Sequence, residues 1–291
     1  MTIKNINKPN LVFVLGATDP EMIAIEKIIA ENGQDFIWAE DPGGQKLTAS
    51  GAYKAKLPRP SLGDDRYVLI ECHIPELDAS LIEHIIDHHN PGDPGFEKPA
   101  SQFFEGSSIG QTIFYLAKLT GVSAASMISE EILITAASDH CPAAAYRGEC
   151  KGVDPEKLMR WRAENQARYR GGSTESIIRD IEAAQQKLRS APVLSSGVSD
   201  LGDDTISQLP EAALRLGMAY QAMVKEKSGQ KKLVIGGHTT PDIINRWMEE
   251  QAALGREIYG SPVRGYAGAY IKDSVVIDAP IDTPPSRRFP S

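Results

Sequence analysis

An acid followed by two histidines, Asp87-His88-His89, stands where the apolar run 81–86 meets the glycine- and proline-rich loop 90–95. On an extended backbone, adjacent side chains point to opposite faces, so one imidazole can ligate a divalent metal while the next reaches a bound anion. The aspartate can hold a ring tautomer from behind the metal. This segment therefore indicates metal-assisted chemistry on an anionic group. The alternative is a polar loop in solvent.

Further acids and histidines follow other predicted strands or begin predicted helices. They are Asp19 and Glu21, Glu71 with His73, and Asp139 with His140. Carboxylates and imidazoles together suit Mn²⁺, Fe²⁺, Co²⁺ or Zn²⁺ better than Ca²⁺, which prefers oxygen ligands alone. A carboxylate shared by two such ions would activate water and neutralise a phosphoryl oxygen together. These ligands suffice for one ion and are marginal for two.

Several of these residues also have a structural interpretation. Asp19 precedes Pro20 at a predicted helix start, where an aspartate N-cap needs no metal. His73 and His140 could equally be structural partners of neighbouring groups. Cys72 is expected to be a small buried side chain.

Three further places could bind an anion. Arg147 could clamp a phosphate, and so could the four arginines of segment 160–170, although a solvated helix face explains that segment at least as well. In the C-terminal third, Gly236 and Gly237 lead into His238 and a predicted helix start. Backbone amides at such a start favour anion binding.

Composition places the chain among ordinary globular proteins, with 41% hydrophobic and 24% charged residues in a length of 291. The net charge of −8 argues against a protein that holds long nucleic acid, but allows a small anionic substrate at a local site. Three cysteines without framework spacing suggest a reducing compartment. The polar segment 1–10 and the short apolar run 11–15 resemble neither a signal peptide nor a membrane span, so we expect a cytoplasmic protein. A homodimer stays an open alternative.

Apolar runs alternate with helical patterns, which predicts an α/β fold with a parallel sheet that binds ligands at its carboxyl edge. Buried strands are expected at 11–15 and 67–70, a short strand at 36–39, and a further strand at 232–235. We expect an N-terminal parallel-sheet domain with a helical linker over 1–191, and a smaller α/β domain over 192–291. That second domain is expected to end in a proline-rich, poorly ordered tail, 278–291.

Three expectations concern less regular segments. A helix is predicted around 77–83, before a short strand at 84–86. Another is predicted from Pro210 to about Lys227, since proline favours the first helical turn. Residues 263–277 are expected to form a closing hairpin.

The pattern resembles the DHH phosphoesterases, a family of single-strand exonucleases, phosphodiesterases of nano-RNA and cyclic dinucleotides, and manganese-dependent pyrophosphatases. Asp87-His88-His89 matches the motif that names the family, and Asp139 fits its fourth motif. Glu71 stands where the family usually has an aspartate. Gly236-Gly237-His238 resembles the glycine-rich turn of the family's accessory domain, which implies a substrate-binding role for this turn. The resemblance extends from Leu11 to about Ile277.

The first motif departs from the family pattern Gly-His-x-x-Pro-Asp-x-Asp. Ala17 replaces the histidine and Ile23 replaces the second aspartate, so two usual metal ligands are absent. Glu21 keeps one ligand position with a longer reach, and Asp19 could be an added ligand. The site has either lost one metal or been rebuilt, with His73 or His140 as candidates.

The leading hypothesis is a metal-dependent phosphoesterase acting on a small phosphorylated molecule such as a short nucleotide or dinucleotide. One or two ions, Mn²⁺ first and Fe²⁺, Co²⁺ or Zn²⁺ as alternatives, would be held by Glu71, His88 and Asp139, with Glu21 and Asp19 holding the weaker site. The other assignments follow the same hypothesis: His89 donates to the phosphoryl oxygen, Asp87 orients an imidazole, and Gly236, Gly237, His238 and Arg147 bind substrate.

The alternative is a non-catalytic nucleotide-binding protein on a retired DHH scaffold, as Ala17 and Ile23 suggest. An inorganic pyrophosphatase is less favoured, because that chemistry depends on the complete first motif.

Overall fold

The computed structural model describes residues 10–61, 65–202, 206–226, 228–262 and 265–271. The chain forms two compact units, the first made of Met1–Arg189 with Ile206–Met218 and the second of Ser190–Thr205 with Ala219–Ser291. The proline-rich tail predicted over 278–291 lies outside the described residues. The α/β fold class predicted from the sequence is confirmed, with a parallel sheet and helices in the first unit and a separate mixed sheet in the second.

The first unit contains a four-stranded parallel sheet in the order β2-β1-β3-β4. The strands are β1 (Asn10–Leu15), β2 (Asp35–Trp38), β3 (Asp65–Ile70) and β4 (Ile82–Ile86). Leu15 pairs with Ile70, and Ile70 pairs with Ile86, so β1, β3 and β4 end level with one another. The residues that directly follow these three strands therefore meet at one edge of the sheet.

Both faces of this sheet are covered, as expected for parallel strands. Phe13 and Leu15 of β1 pack on one face with the helical part of the unit. Val12 and Val14 pack on the other face with the segment that follows β2. The alternation of side chains along an extended strand thus fills two cores at once.

Nine helices belong to the first unit among the described residues, and one to the second. They are α1 (Pro20–Glu31), α2 (Phe103–Gly106), α3 (Ser108–Thr120), α4 (Ala124–Met127), α5 (Glu130–His140), α6 (Pro142–Tyr146), α7 (Pro155–Arg170), α8 (Thr174–Ser190), α9 (Leu209–Leu216) and α10 (Pro241–Ala253). Proline stands at the first or second position of four of the longer helices, where its missing amide hydrogen costs nothing. None of the described helices combines the length and hydropathy of a membrane span.

The second unit is built on a mixed sheet in the order β5-β6-β7-β9-β8. Its strands are β5 (Ser199–Asp200), β6 (Ala219–Lys225), β7 (Lys231–Gly237), β8 (Glu257–Ser261) and β9 (Tyr266–Ile271). All neighbours are antiparallel except β5 and β6. Helix α10 covers one face through Ile244 and Trp247.

Three local predictions were wrong. The helix expected around 77–83 is a single 3₁₀ turn, Ala79–Leu81, because the β-branched run that follows it is already strand β4. The helix from Pro210 ends at Leu216, since Gly217 adopts φ 63° and caps it, and β6 follows. The closing hairpin is formed by β8 and β9, earlier than predicted; residues 272–277 lie outside the described residues.

The segment 206–218, which carries α9, belongs to the first unit, although the boundary predicted at 191/192 placed it in the second. Leu209, Ala212 and Ala213 of α9 are fully or almost fully buried. This helix thus contributes to the same unit as the level strand ends of β1, β3 and β4.

Candidate metal centre

Gly16, Glu71 and Asp87 directly follow the three level strands β1, β3 and β4. A Cβ atom on Gly16 would lie 2.4 Å from the carbonyl oxygen of Glu71, so only glycine allows the two chain ends to approach this closely. Glu71 itself has φ 49°, in the left-handed region that a glutamate rarely adopts. Such strain persists only where the surrounding structure imposes it, and it is concentrated at functional sites.

Four ligand-bearing side chains converge at this edge. Glu71, His88, His89 and Asp139 each offer one ligand atom, and these atoms all lie within 4.8 Å of one another. His88 Nε2 is 2.9 Å from Asp139 Oδ2, and the rings of His88 and His89 stack with centroids 4.4 Å apart. Asp139 reaches the group from the last turn of α5. The structure therefore contains a cluster of acidic and imidazole groups that could bind a metal.

The hydrogen bonding of the cluster leaves donor atoms that fit a divalent cation. Glu71 Oε1, Glu21 Oε2 and His88 Nδ1 are buried and have no hydrogen-bond partner among the described residues. A buried polar atom left without a partner costs about 1–3 kcal/mol. Two carboxylate oxygens and a ring nitrogen are the donors that a divalent transition metal accepts. The residues present thus fit the ion that the sequence predicts.

The prediction that the rings of His88 and His89 point to opposite faces of an extended backbone was wrong. Strand β4 ends at Ile86, and Asp87 Oδ1 accepts hydrogen bonds from the backbone amides of both His88 (2.7 Å) and His89 (3.1 Å). The carboxylate therefore turns the chain out of the extended conformation, and the two rings lie side by side. The same oxygen is 2.9 Å from His89 Nδ1, so Asp87 orients His89 rather than His88.

The charges around His89 favour its protonated form. Burial alone lowers the pKa of the imidazole, but the hydrogen bond to Asp87 and the charges of Glu71, Asp87 and Asp139 outweigh it and raise the pKa to about 9. Asp87 is in turn held by the Tyr53 hydroxyl, which donates to Oδ2 at 3.0 Å.

Asp19 and Glu21 reach the cluster from the start of α1. Asp19 is the N-cap, since Oδ1 accepts from the Met22 amide at 2.7 Å; its ligation of a metal stays a prediction. Its pKa rises to about 6, mainly through burial and further through the charge of Asp139. Glu21 is buried, and Oε1 accepts from the Ile109 amide at 3.0 Å. Burial, Asp139 and Glu71 raise its pKa well above the usual range.

His140 and His73 are placed outside the four-residue group. His140 Nε2 is 2.9 Å from the Lys98 carbonyl oxygen, and the ring stands edge-on to His88 at 5.3 Å, so His140 supports the site as a structural partner. His73 is exposed, and its backbone pairs with that of Ala52. A metal-binding role for either residue stays a prediction.

Cys72 is a small buried side chain, as expected. It is a free thiol, as are Cys141 and Cys150, whose sulfur atoms lie 3.3 Å apart.

Arg147 pairs with Glu149 at 2.6 Å, and both side chains are exposed; contact of Arg147 with a substrate stays a prediction. In the second unit, Gly236 and Gly237 form the end of β7 rather than a loop, and His238 follows them shortly before the N-cap of α10, Thr240. Contact of these three residues with a substrate stays a prediction.

Sequence reasoning missed two residues that support the cluster. Arg162 donates to both carboxylate oxygens of Glu211 and to the carbonyl and hydroxyl oxygens of Ser138, the residue before Asp139. Tyr53, whose hydroxyl donates to Asp87, was missed because the glycine and proline content of its segment predicted only a loop. Arg162 lies in the arginine-rich segment already noted, which was the one available signal.

A cavity of about 680 Å³ adjoins the cluster. Asp19, Glu21 and Asp139 line one part of it, and α7 contributes Arg168 and Tyr169 among other residues. This volume is in the range of pockets that bind small molecules.

No family model matches the chain, and no curated protein matches it either. Among solved structures, the chain is similar to RecJ from Thermus thermophilus, determined in complex with Mg²⁺. The identity is 11% and the TM-score 0.35; the alignment covers 90% of this chain and 47% of RecJ, so the chain spans about half the length of that protein. The interpretation of the site therefore rests on its own geometry.

Proposed function

We propose that this protein is a metal-dependent phosphoesterase that hydrolyses a small phosphorylated substrate, with a short nucleotide or dinucleotide as the first class to test. The observation that carries the proposal is the convergence of Glu71, His88, His89 and Asp139 within 4.8 Å. The buried, unpartnered atoms Glu71 Oε1 and His88 Nδ1 add to it. The match of Asp87-His88-His89 to the DHH motif supports the same chemistry.

The metal we propose first is Mn²⁺, because the ligand set mixes imidazole and carboxylate; Fe²⁺, Co²⁺ and Zn²⁺ accept the same donors. Glu71, His88 and Asp139 would hold it. Glu21 and Asp19 would hold a second, weaker ion. A divalent cation supplies Lewis acidity, which neutralises charge on a phosphoryl oxygen and lowers the pKa of water.

The chain's own contribution is a fixed proton donor. With Nδ1 held by Asp87, His89 presents the opposite ring nitrogen, Nε2, to the substrate. The hydrogen bond to Asp87 fixes the orientation of the ring, so a protonated His89 can donate from Nε2 to a phosphoryl oxygen. Asp87, anchored by Tyr53, is the positioning residue for this step.

The test is hydrolysis of a panel of phosphoesters by the full-length protein with each candidate metal. We expect at least one nucleotide or dinucleotide to be cleaved with Mn²⁺, and His88→Ala to abolish cleavage while the fold is retained. A protein that binds a stoichiometric divalent ion yet turns over no member of a broad panel would overturn the proposal.

One observation favours a second candidate, a nucleotide-binding protein without catalysis. Ala17 and Ile23 replace two ligands of the family motif, and the Ile23 side chain, 53% exposed, lines the cavity next to the cluster. Elemental analysis separates the two functions. A binding protein would purify without transition metal and still gain thermal stability from nucleotide.

A further inference from the structure

The cavity beside the four clustered side chains is lined by both acidic and basic residues. Asp139 belongs both to the four clustered side chains and to the cavity lining, together with Asp19 and Glu21. Elsewhere the lining includes Lys46, Arg168 and Arg170. The acidic side chains favour a cation, and the basic side chains favour an anion.

Lys46, Arg168 and Arg170 differ from the other cations around α7 because they lack a carboxylate partner within the described part of the chain. Arg160 pairs with Glu175, Lys157 with Glu130, and Arg162, which also lines the cavity, with Glu211. No carboxylate of the described residues pairs with Lys46, Arg168 or Arg170, and Arg168 contacts only the amide oxygen of Asn165, at 3.3 Å. In a chain of net charge −8, three unpaired cations on one cavity are a local preference for an anion.

Helix α7 also supplies groups that suit a base. Trp161, Asn165 and Arg168 follow one another at spacings of four and three residues, and so do Arg162, Gln166 and Tyr169, so both rows face the cavity. The Tyr169 side chain is 89% exposed. An exposed aromatic ring among cations is the usual platform on which proteins stack the bases of single strands.

We propose that this cavity is a second substrate subsite. Lys46, Arg168 and Arg170 bind a phosphate group remote from the one at the metal cluster, and Tyr169 stacks on the adjoining base. This inference rests on the proposed function, which places the phosphoester that is hydrolysed at Glu71, His88 and Asp139. It adds that a substrate with two phosphates is selected over one with a single phosphate.

The experiment uses two linear diadenosine dinucleotides that differ in one group, pApA with a 5′-phosphate and ApA without it. Binding to the full-length protein is measured by calorimetry in EDTA, where no metal supports hydrolysis. We expect pApA to bind about tenfold more tightly than ApA, the worth of a charge-assisted hydrogen bond, and this ratio to fall with added salt. The double variant Arg168→Gln/Arg170→Gln should bring the ratio close to one, and Lys46→Gln should lower it.

Arg160→Gln is the matched control, because it removes the same charge from the same helix outside the cavity, and it should keep the ratio. An equal affinity for pApA and ApA, or a ratio that survives in the Arg168→Gln/Arg170→Gln protein, would overturn the subsite.

The proposed function fails by a different result. Hydrolysis of both dinucleotides with Mn²⁺, but without a phosphate preference in binding, would remove the subsite alone. Tighter binding of pApA without turnover of any phosphoester would support the subsite and refute the proposed phosphoesterase activity.

Discussion

A glutamate held at φ 49° points its carboxylate into a cluster that already contains another carboxylate and two imidazoles. Glu71 Oε1 is buried there and has no hydrogen-bond partner among the described residues. The pKa of Glu71 rises to about 7, first through burial and then through the charge of Asp139. The residue is thus arranged for ion binding at a cost to the metal-free fold.

Glu71→Gln should separate these two effects. Removing the charge should leave the melting temperature of the metal-free protein unchanged or higher, because an unpaired buried carboxylate is lost. It should weaken Mn²⁺ binding by at least about 100-fold, since even residues behind a ligand contribute about 10- to 100-fold. Calorimetry and thermal melting with and without Mn²⁺ measure both.

Glu76→Gln is the control, because Glu76 is an exposed acid in the same loop. A Glu71→Gln protein with unaltered Mn²⁺ affinity would contradict the ligand assignment.

The metal-free protein should lose stability as the pH rises. In the folded state the pKa of Asp19 is about 6, that of Glu71 about 7 and that of His89 about 9, all above the ordinary values of 3.8, 4.5 and 6.5. The folded state therefore holds these protons to higher pH than the unfolded chain, so this contribution declines between about pH 4 and pH 9. Asp87, whose pKa is lowered, acts in the opposite sense only at acidic pH.

Mn²⁺ should reverse this trend, because its ligands must lose their protons to bind it. We expect the rise in melting temperature caused by Mn²⁺ to be larger at pH 8 than at pH 5.5, with EDTA-treated protein as the reference. A metal-induced rise that is equal at the two pH values would show that these groups do not hold the ion.

At the scale of elements, the level ends of β1 and β3 depend on a close backbone approach. Gly16→Ala would place a methyl group 2.4 Å from the Glu71 carbonyl oxygen and force the strand ends apart. We expect a loss of about 1–3 kcal/mol in the free energy of unfolding, together with weaker Mn²⁺ binding. Chemical denaturation and calorimetry measure the two effects.

Gly51→Ala is the matched control, because its new methyl would meet neighbours at an ordinary 3.5 Å and should change neither quantity. A Gly16→Ala protein as stable as the original would refute the steric account.

A partly buried ion pair connects α9 to the helix residue before Asp139: Glu211 is buried, and the Arg162 side chain is 25% exposed. Glu211→Ala would leave Arg162 unpaired beside Ser138 and Asp139, which typically costs about 3–5 kcal/mol. Glu156→Ala provides the comparison, since Glu156 is an exposed partner of Arg215 on the surface and should cost less than about 1 kcal/mol. Urea unfolding measures the loss in the free energy of unfolding for both variants. Similar losses in the two would contradict the structural role of Glu211.

The sequence predicted the elements whose signal is local. The apolar runs of β1 and β3 and the Asp-Pro start of α1 are short-range patterns, and each appears in the structure. The end of α9 at Gly217 was missed because the helical pattern seemed to continue through residues that in fact form β6. Propensity alone does not separate a helix from a strand in such a segment.

The sequence predicted those residues of the candidate site that are polar and stand at the ends of strands or helices. Glu71, His88 and Asp139 were found in this way, and they meet in the structure. Arg162 and Glu211 are 49 residues apart, and nothing in either neighbourhood indicates the other. The side-by-side rings of His88 and His89 depend on the hydrogen bonds of Asp87, which no periodicity encodes.

At the scale of the whole molecule, the first unit is not continuous in sequence, since 206–218 returns to it after 190–205. A fragment comprising residues 1–218 should therefore melt cooperatively and gain stability from Mn²⁺. A fragment of residues 1–191 lacks α9 and should melt about 10 °C lower, given the partly buried ion pair and apolar surface that it loses. Calorimetric melting of both fragments tests this.

A fragment of residues 1–205 is the length control. It carries the added segment without α9 and should behave like 1–191. Equal melting of 1–191 and 1–218 would show that α9 contributes nothing to the first unit.

The return of 206–218 to the first unit has a consequence during biosynthesis. While the ribosome has released only the first 190 or so residues, Arg162 has no carboxylate from α9 to neutralise it. The sheet edge can form early, but the support behind Asp139 is completed only after Met218 has left the exit tunnel. We therefore expect the nascent chain to acquire its metal only after residues 206–218 have emerged and packed on the first unit.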